Sequence, residues 1–395
     1  MNIKSKYKVN VITSTRAEYG VLRNIIFKLR KEQNVDFSLV VTGCHLSEKF
    51  GNTQQEIIND GINDYIRIPI PMDDDSKEGM AICAGITMTK FAEYFNKNCP
   101  DIVIVLGDRF EILSVAATAH LMGIPIAHIS GGDVTEGAVD DAIRHSITKM
   151  SSLHFPGCEQ SRKRIIQMGE QPQSVFNVGE PGVENCLNLE KLSREELADN
   201  LNFDIVNHDF SVVTFHPVTM ENNTGVDQVY ELIHAMDRLE GMYYIITMAN
   251  ADAGGRAIND IWIEEGKKHK NWLVVTSLGV VRYLSAMKNA KMVIGNSSSG
   301  IIEAPSMRVP TINIGDRQKG RMMAESVISC NPEEYEIYKC FEKALSPQFE
   351  EIIKHVDSPF GDGTTSEKIV KYVLEYLENK QELNEKHFYD IDFSY

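Results

Sequence analysis

Residues 101–107, DIVIVLG, form a short and nearly continuous run of branched apolar side chains that ends in glycine. Such a run is typical of a strand buried on both faces of a parallel sheet, because a half-exposed strand would alternate polar and apolar residues. The amphipathic stretch 109–122 follows it directly and is predicted to be a helix. The segment therefore predicts a strand–helix unit of a doubly wound α/β sheet.

The same pattern recurs on both sides of this segment. The other strands predicted in the first half are KVNVITS (8–14), FSLVVTG (37–43), YIRIPI (65–70), IPIAHIS (124–130) and SLHFP (152–156), with helices over 18–31 and 78–98. Those predicted in the second half are FSVVTFHP (210–217), YYIITMAN (243–250), WLVVTS (272–277), KMVIGNS (291–297) and VPTINIG (309–315), with helices over 225–240, 255–268, 280–289, 299–307 and 364–380. Two such arrays in 395 residues predict two doubly wound domains.

Charge and cysteine content exclude several classes of protein. The chain has 40 Lys and Arg against 56 Asp and Glu, a formal net charge of −16, which argues against nucleic acid or an anionic membrane as partner. No apolar run approaches the ~20 residues of a membrane span. Seven irregularly spaced cysteines without a C-x-x-C are typical of a reducing cytoplasm, where we expect the protein to reside. The eleven histidines show no metal-ligand spacing, so we predict no metal site.

The segment GNSSSGIIEA follows a predicted strand and opens a predicted helix. It presents hydroxyls and unpaired backbone N–H groups at a helix N-terminus, which suits a phosphate bound near Ser297, Ser298 and Gly300. Glu303 lies one turn on, where its carboxylate can accept hydrogen bonds from a ribose diol. The alternative is that a serine simply caps the helix and that Glu303 is a surface residue.

Arg16 and Arg109 also follow predicted strands. A guanidinium group is permanently charged and can form paired hydrogen bonds, so two of them suit a diphosphate. The alternative is that each arginine forms a surface salt bridge. Asp108 is adjacent to Arg109 in the sequence and could be its partner in such an ion pair.

Histidines and aspartates occupy further strand ends. His45 and His216 each follow a buried strand, and His216 is equally compatible with a core position. Asp133, Asp140 and Asp141 lie in or just after a glycine-rich loop, where they can also cap the helix that begins near residue 140.

Seven motifs occur in order from about residue 8 to residue 325: TSTRAEYG, TGCHLSEKFGNT, VLGDRFEIL, AHISGGDVTEGAVDDAIRHSITK, FHPVT, IGNSSSGIIEAP and INIGDRQKGR. Together they closely resemble the hydrolysing UDP-N-acetylglucosamine 2-epimerases of sialic-acid biosynthesis. The long block GGDVTEGAVDDAIRHSITK and the ending GDRQKGR are similar to the hydrolysing branch of that family rather than to the non-hydrolysing one.

The resemblance implies the GT-B architecture, with two Rossmann-like domains, the active site in the cleft between them and a C-terminal helix that returns to the first domain. We therefore expect an N-terminal domain over 1–180, joined by a C-terminal helix over 364–395, and a UDP-binding domain over 181–363. A UDP-sugar is the implied partner, and no dissociable cofactor is implied. We also expect a homo-oligomer, either a dimer or a tetramer.

The resemblance further implies conversion of UDP-GlcNAc and water to UDP and N-acetylmannosamine. UDP is eliminated across C1–C2 to give a 2-acetamidoglucal, and water then adds. Removing the C2 proton needs a carboxylate base and returning it needs an acid, and tuned carboxylates or a histidine can serve. Asp108 and Asp140 are the implied groups, while His216 would protonate or hydrogen-bond the departing diphosphate. The implied UDP-sugar-binding residues, with Glu303 at the ribose and Leu278 near the base, are Arg16, His45, Arg109, Asn250, Leu278, Ser297, Ser298, Gly300, Glu303 and Arg317.

One departure from the family pattern concerns the second acid–base group. Many relatives have Glu where this chain has Ser130, in HISGG. Either Asp133 takes that role, or the pocket suits a different sugar, such as the UDP-N,N'-diacetylbacillosamine of legionaminic acid biosynthesis. UDP-GlcNAc is the expected substrate. A GT-B glycosyltransferase or a non-catalytic nucleotide-sugar sensor would also hold UDP, although binding UDP alone would not require Asp108 and Asp140.

Overall fold

Two parallel sheets, one in each half of the chain, organise the protein. The computed structural model describes residues 6–74, 76–135, 139–217, 224–249, 255–379 and 386–392. The chain divides into a first unit of Met1–Val134, Val139–Pro181 and Thr364–Tyr395, and a second unit of Gly182–Gly363 with Thr135–Ala138.

The first unit alternates strands and helices. Its strands are β1 (Tyr7–Thr13), β2 (Val35–Val41), β3 (Ile66–Arg67), β4 (Ile102–Leu106), β5 (Ile126–Ile129) and β6 (Leu153–Phe155). Its helices up to the unit boundary are α1 (Arg16–Lys31), α2 (Gln54–Asn59), α3 (Lys77–Asn98), α4 (Phe110–Leu121), α5 (Val139–Met150) and α6 (Glu159–Gln167). The strands lie in the order β3-β2-β1-β4-β5-β6, all parallel, which is the order of a Rossmann sheet.

Strand β4 shows why its sequence is apolar throughout. Ile102 and Ile104 belong to the hydrophobic cluster on one face of the sheet, whereas Val103 and Val105 belong to the cluster on the other. All four side chains are fully buried. Because helices cover both faces, the alternation expected of a half-exposed strand is absent, as the sequence predicted.

The second unit repeats this arrangement. Its strands are β7 (Phe210–Thr214), β8 (Tyr243–Thr247), β9 (Trp272–Val275), β10 (Val293–Gly295), β11 (Thr311–Ile314) and β12 (Val327–Cys330). The helices from the boundary onward are α7 (Pro181–Asn188), α8 (Arg194–Leu201), α9 (Thr224–Asp237), α10 (Gly255–Gly266), α11 (Gly279–Asn289), α12 (Ser298–Ile302), α13 (Glu334–Ala344) and α14 (Pro347–His355). The order β12-β11-β10-β7-β8-β9 is again that of a Rossmann sheet, read from the opposite edge. The predicted α/β class with two Rossmann-like sheets is confirmed.

The last helix, α15 (Thr365–Glu378), belongs to the first unit. Its buried residues Ile369 and Val373 join the cluster formed by α1 and one face of the first sheet. The helix ends at Glu378, so it is shorter than the predicted 364–395, and residues 386–392 contain no helix.

The structure also contains elements that the sequence analysis did not predict. Strand β12 is only four residues long and its side chains alternate in exposure, so it lacks the continuous apolar run used to find the other strands. Helices α13 and α14 follow it and were likewise not predicted. They complete the second unit, where Phe341 and Phe349 enter the hydrophobic cluster around Trp262.

Candidate active site

The strand order of each sheet reverses at one point, and in sheets of this kind ligands bind beyond the carboxyl ends of the strands there. In the first unit the reversal lies between β1 and β4. Arg16 follows β1, and Asp108 and Arg109 follow β4. In the second unit it lies between β7 and β10, which lead into His216 and Ser297. Most of the predicted site residues therefore lie at or beside these two positions.

Asp108 is held by a buried arginine that the sequence analysis did not single out. The carboxylate forms an ion pair with Nη2 of Arg144, a residue of α5 whose side chain is 5% exposed, while that of Asp108 is 26% exposed. The other guanidinium nitrogen, Nη1, donates to the backbone carbonyl of Asp133 at 2.9 Å and lies 3.7 Å from Oδ1 of Asp141. Arg144 thus connects the loop after β4 with the glycine-rich loop and the first turn of α5.

The three aspartates of this region differ in their surroundings. Asp133 accepts a hydrogen bond from the Ser161 hydroxyl through Oδ1. Asp141 lies close to His145 as well as to Arg144, with 3.5 Å between its Oδ2 and Nε2 of His145. Burial lowers the pKa of His145, although the charge of Asp141 opposes that shift. Asp140 is exposed on the first turn of α5, and its neighbour Asp141 shares Arg144 with Asp108.

Arg109 belongs to a second network that lies between β1 and β4. It precedes the first residue of α4 and forms an ion pair with the fully buried Glu111. The hydroxyl of Ser14 lies 2.8 Å from Oε1 of Glu111 and 2.9 Å from Oε2 of Glu18. A hydroxyl can donate only one hydrogen bond, so contact with both carboxyls requires a proton on one of them. Burial, reinforced by the charge of Glu111, raises the pKa of Glu18 to about 7, which agrees with that requirement.

Glu18 owes its position to local sequence. Thr15 caps α1 by accepting from the Glu18 backbone N–H, and the Glu18 side chain accepts from the Thr15 backbone N–H at 3.2 Å. This reciprocal pair is a capping box, a motif of the form T-x-x-E that the sequence already contains. Arg16, the first residue of α1, is exposed, and its Nε lies 3.9 Å from Oε1 of Glu56.

His45 is fully buried. Its ring nitrogens contact two hydroxyls, that of Thr13 at 3.0 Å and that of Thr53 at 2.9 Å. Burial lowers its pKa to about 4, so the ring is neutral at pH 7. With both nitrogens engaged by protein groups, this geometry favours a structural role, and the predicted contact of His45 with substrate stays a prediction.

In the second unit, His216 is held by Asn296. The backbone N–H of His216 donates to Oδ1 of Asn296 at 2.7 Å, and Nδ2 of Asn296 donates back to the His216 carbonyl at 2.8 Å. The carbonyl of Asn296 accepts from Arg317 Nη1 at 3.0 Å and from Gln318 Nε2 at 2.8 Å. Asn296 thereby brings together predicted residues from the loops after β7, β10 and β11.

The His216 ring is buried, and its Nδ1 has no hydrogen-bond partner among the residues that the structure describes. Burial, and then the charge of Arg317, lowers its pKa to about 4. The imidazole is therefore neutral at pH 7. A neutral imidazole can donate one hydrogen bond and accept another, which suits a group that contacts a diphosphate.

The serine-rich turn after β10 depends on two glycines. Gly295 has φ +130, and a Cβ on it would lie 1.9 Å from the carbonyl oxygen of Thr214, so only glycine allows β10 to approach β7 so closely. Gly300 is buried, and a Cβ on it would lie 2.8 Å from Cγ2 of Thr311, whose hydroxyl donates to the Gly300 carbonyl at 2.8 Å. Ser297 caps α12 by accepting from the Ser299 backbone N–H, so a serine cap is present alongside any role in binding. Ser298 is the first residue of that helix and is half-buried.

Glu303 directly follows α12. Burial raises the pKa of its carboxyl to about 7. A Cβ at Gly182, in α7, would lie 2.8 Å from Oε1 of Glu303, so the glycine leaves room for this carboxyl group. At neutral pH the group is therefore divided between its two ionisation states.

The remaining predicted residues are Leu278 and Asn250. Leu278 precedes α11, and its buried side chain packs among Phe210, Ile245 and Ala286, so only its backbone is suited to meet a nucleotide base. Asn250 lies outside the described residues.

Among the residues that the structure describes, no group of three His, Cys, Asp or Glu side chains could hold a metal ion. No helix in the same part of the chain is long and apolar enough to cross a membrane.

Several residues at these sites were not predicted. The side chains of Glu18, Glu111, Arg144, Asn296 and Gln318 hold predicted residues or their loops in place. Only Glu18 carried a local signal, the capping box. The others lie within or next to the quoted motifs, but their partners are side chains and carbonyls brought near by strand order.

Comparisons with known proteins show which proteins this chain resembles. A sequence profile described as UDP-N-acetylglucosamine 2-epimerase matches residues 27–374. The chain is 37% identical to the GDP/UDP-N,N'-diacetylbacillosamine 2-epimerase (hydrolyzing) of Campylobacter jejuni, over 98% of this chain and 100% of that protein. It is 32% identical to the UDP-N,N'-diacetylbacillosamine 2-epimerase (hydrolyzing) of Legionella pneumophila, over 97% and 99%. It is 30% identical to the UDP-N-acetylglucosamine 2-epimerase of Neisseria meningitidis, over 98% and 99%.

Solved structures of low sequence identity share the fold. The UDP-GlcNAc 2-epimerase of Methanocaldococcus jannaschii, in complex with UDP-GlcNAc and UDP, superposes with a TM-score of 0.75 at 20% identity, over 93% of this chain and 99% of that one. The profile match and the three relatives each extend over most of the sequence. The chain therefore belongs to the UDP-N-acetylglucosamine 2-epimerase family.

Proposed function

We propose that this protein is a hydrolysing 2-epimerase that converts a UDP-2-acetamido sugar and water to UDP and the free sugar of manno configuration. In the first step the C2–H bond breaks and its proton passes to a carboxylate. The C1–O bond breaks with its electron pair leaving on UDP, and a C1–C2 double bond forms. In the second step a carboxyl gives a proton to the opposite face of C2, water adds through its oxygen to C1, and the proton that this water loses passes to a carboxylate.

The residues of the second unit have the chemistry needed to hold UDP. Arg317, neutral His216 and the turn of Ser297 and Ser298 supply a positive charge and hydrogen-bond donors for the diphosphate, whose negative charge grows as it leaves. Glu303 in its ionised form would accept hydrogen bonds from the ribose hydroxyls, and the backbone at Leu278 would meet the base. Arg16 and Arg109, at the strand reversal of the first sheet, are further cations of the kind that bind a diphosphate.

One observation carries the proposal of catalysis rather than binding alone. Asp108 follows β4, at the strand reversal of the first sheet, and is paired with Arg144, which also lies near Asp141. A site that only bound a dianionic nucleotide would gain nothing from carboxylates at this position. They are the groups that a proton transfer at C2 requires. We propose Asp108 as one acid–base group, with Asp133 and Asp140 as further candidates.

We propose UDP-N,N'-diacetylbacillosamine as the substrate, ahead of UDP-GlcNAc. The support is that the relatives at 37% and 32% identity bear that sugar in their names, whereas a relative named for UDP-GlcNAc is 30% identical. Both sugars present the same reacting centre, an acetamido-bearing C2 next to the C1–diphosphate bond.

The test is to incubate the protein with each sugar separately in deuterated water and to follow the products by NMR. Free UDP together with a manno-configured sugar carrying deuterium at C2 is expected, with the higher kcat/KM for the diacetamido sugar. A D108N variant is the control for non-enzymatic loss of UDP. If neither sugar releases UDP, the proposed function is wrong. If a sugar is transferred to an added acceptor without formation of the glucal, the protein is a glycosyltransferase instead.

A further inference from the structure

Glu180 is a buried carboxylate at the carboxyl edge of the first sheet that none of the steps above uses. The residue is 8% exposed. Its Oε2 accepts a hydrogen bond of 2.7 Å from the hydroxyl of Ser130. Its backbone carbonyl accepts from the hydroxyl of Thr365, the first residue of α15, at 3.4 Å. Both ends of Glu180 are thus anchored within the first unit.

The backbone around the carboxylate is shaped to admit it. Gly157 lies two residues beyond β6, and a Cβ there would come 1.9 Å from Oε1 of Glu180. Ser130 lies one residue beyond β5 and has φ +58, in the left-handed region that residues other than glycine seldom adopt. Backbone conformations of this kind occur preferentially at active sites, where the surrounding structure maintains them.

The register of the sheet places Ser130 beside the loop that carries Asp108. Leu106 of β4 pairs with Ile129 of β5, and the backbone N–H of Gly107 donates to the Ile129 carbonyl at 3.1 Å. Asp108 is the next residue after Gly107, and Ser130 is the next after Ile129. The Glu180 carboxylate is hydrogen-bonded to Ser130 and therefore lies at the end of β5, the strand adjacent to the one that leads into Asp108.

We infer that Glu180 is the second acid–base group of the reaction, acting with Asp108 in the exchange of the C2 proton; this inference rests on the proposed function. Residue 130 is a serine and carries no carboxylate of its own, and Glu180 brings a carboxylate to that serine from 50 residues further along the chain. Inversion at C2 needs one carboxylate to accept the proton on elimination and another carboxyl to give one back on hydration. Asp108 and Glu180 supply that pair without a contribution from Asp133.

The test compares Glu180→Gln with the wild-type protein and with Glu159→Gln. Glu159 lies on α6 of the same unit, exposed and paired with Arg162, so the same change there controls for the loss of a charge. We expect E180Q to lower kcat by about 100-fold or more, as for other acid–base groups. Its affinity for UDP and its melting temperature should remain close to those of the wild type. NMR then separates the steps, since either UDP release stops or the acetamidoglucal accumulates.

A second variant exchanges the two side chains, S130E/E180S. Because the Ser130 hydroxyl and the Glu180 carboxylate are in contact, the exchange returns a carboxylate to nearly the same place from the other backbone position. It should recover at least about tenfold of the activity that E180S alone loses, within the range of an acid–base contribution. A purely structural hydrogen bond would be restored without any recovery of kcat.

Three results would overturn the assignment: E180Q with kcat within threefold of the wild type, a loss confined to UDP affinity, or an exchange variant no more active than E180S. If the wild-type protein itself releases no UDP from either sugar, the proposed function fails instead. Turnover by the wild type therefore distinguishes the two failures.

Discussion

His216 and Asn296 lie 80 residues apart and are joined by two hydrogen bonds, of 2.7 and 2.8 Å, in which the asparagine amide pairs with the backbone N–H and carbonyl of the histidine. The amide thus acts as a short piece of backbone that connects the end of β7 to the end of β10. The Asn296 carbonyl also accepts from Arg317. The side chain of Asn296 holds His216 and its backbone carbonyl holds Arg317, so this one residue sets the relative positions of two residues that we propose to contact the diphosphate.

Asn296→Asp should disturb this connection while changing almost nothing in size. Oδ1 can still accept from the His216 N–H, but a carboxylate oxygen replaces the donor that faced the His216 carbonyl. We expect a loss of about 1–3 kcal/mol in the free energy of unfolding, the usual cost of leaving a buried polar group unpaired. UDP binding should weaken by about tenfold or more, because His216 would no longer be held in the position that we propose for contact with the diphosphate. Urea denaturation and calorimetric titration with UDP measure the two effects. N200D, an exposed asparagine on α8, is the control, and equal effects of the two changes would contradict this prediction.

Asp108→Asn should remove turnover and leave UDP binding largely intact. The amide cannot take a proton from C2, so we expect kcat to fall by about 100-fold to 10,000-fold. UDP affinity should stay within a few-fold. Because the change also removes the ion pair with buried Arg144, the melting temperature should drop. Turnover by NMR, UDP titration and thermal melting together test this. D36N, an exposed residue on β2, is the control, and a large loss of UDP affinity in D108N would make Asp108 a binding residue instead.

Glu303 should make UDP binding depend on pH. Its carboxyl has a pKa of about 7 in the free protein because it is buried, and only the ionised form can accept two hydrogen bonds from the ribose. The affinity of the wild type for UDP should therefore rise by about tenfold between pH 6 and pH 8. UDP titrates too, but equally for every variant, so the comparison is with E303Q, whose curve should lack this rise. Parallel curves for the two proteins would exclude Glu303 from the ribose site.

Gly182→Ala offers a separate test of the same carboxyl group. The added methyl would lie 2.8 Å from Oε1 of Glu303 and must displace that flexible side chain. We expect weaker UDP binding with little change in the melting temperature, since the carboxyl can move away from the methyl. Calorimetric titration and thermal melting measure this. An unchanged affinity would mean that the position of Glu303 is not important for binding UDP.

His45 should make the first unit less stable in acid. Its pKa is lowered to about 4 in the folded protein by burial, against 6.5 for the free side chain, so the unfolded state binds more protons between these two values. The free energy of unfolding contributed by this group is present above pH 6.5 and is lost as the pH falls towards 4. Between pH 7 and pH 5 the wild type should lose about 2 kcal/mol more than H45Q. H120Q, an exposed position on α4, should behave like the wild type. If H45Q and the wild type lose stability in parallel, the prediction is wrong.

The fold was predictable because its signals are local. Apolar runs such as Ile102–Leu106 reflect burial on both faces of a sheet, and each is visible without knowledge of its neighbours. Strand β12 was not predictable in this way, because an edge strand of four residues contains too few buried positions to form a run. Helix α15 was predicted over 364–380 from its helical spacing and spans Thr365–Glu378, whereas the extent of 364–395 implied by the resemblance was too long.

The candidate site likewise has features that are visible in the local sequence and features that are not. The α/β class, the family through its ordered motifs, and the polar residues that follow each strand could be read from the sequence, because those properties depend on residues that are neighbours in the chain. The partners of these polar residues became apparent only in the folded molecule: Arg144 for Asp108, Asn296 for His216 and Glu180 for Ser130. Each of these contacts joins positions 36 to 80 residues apart, and a hydrogen bond at that separation exists only once the strand order has brought the two loops together.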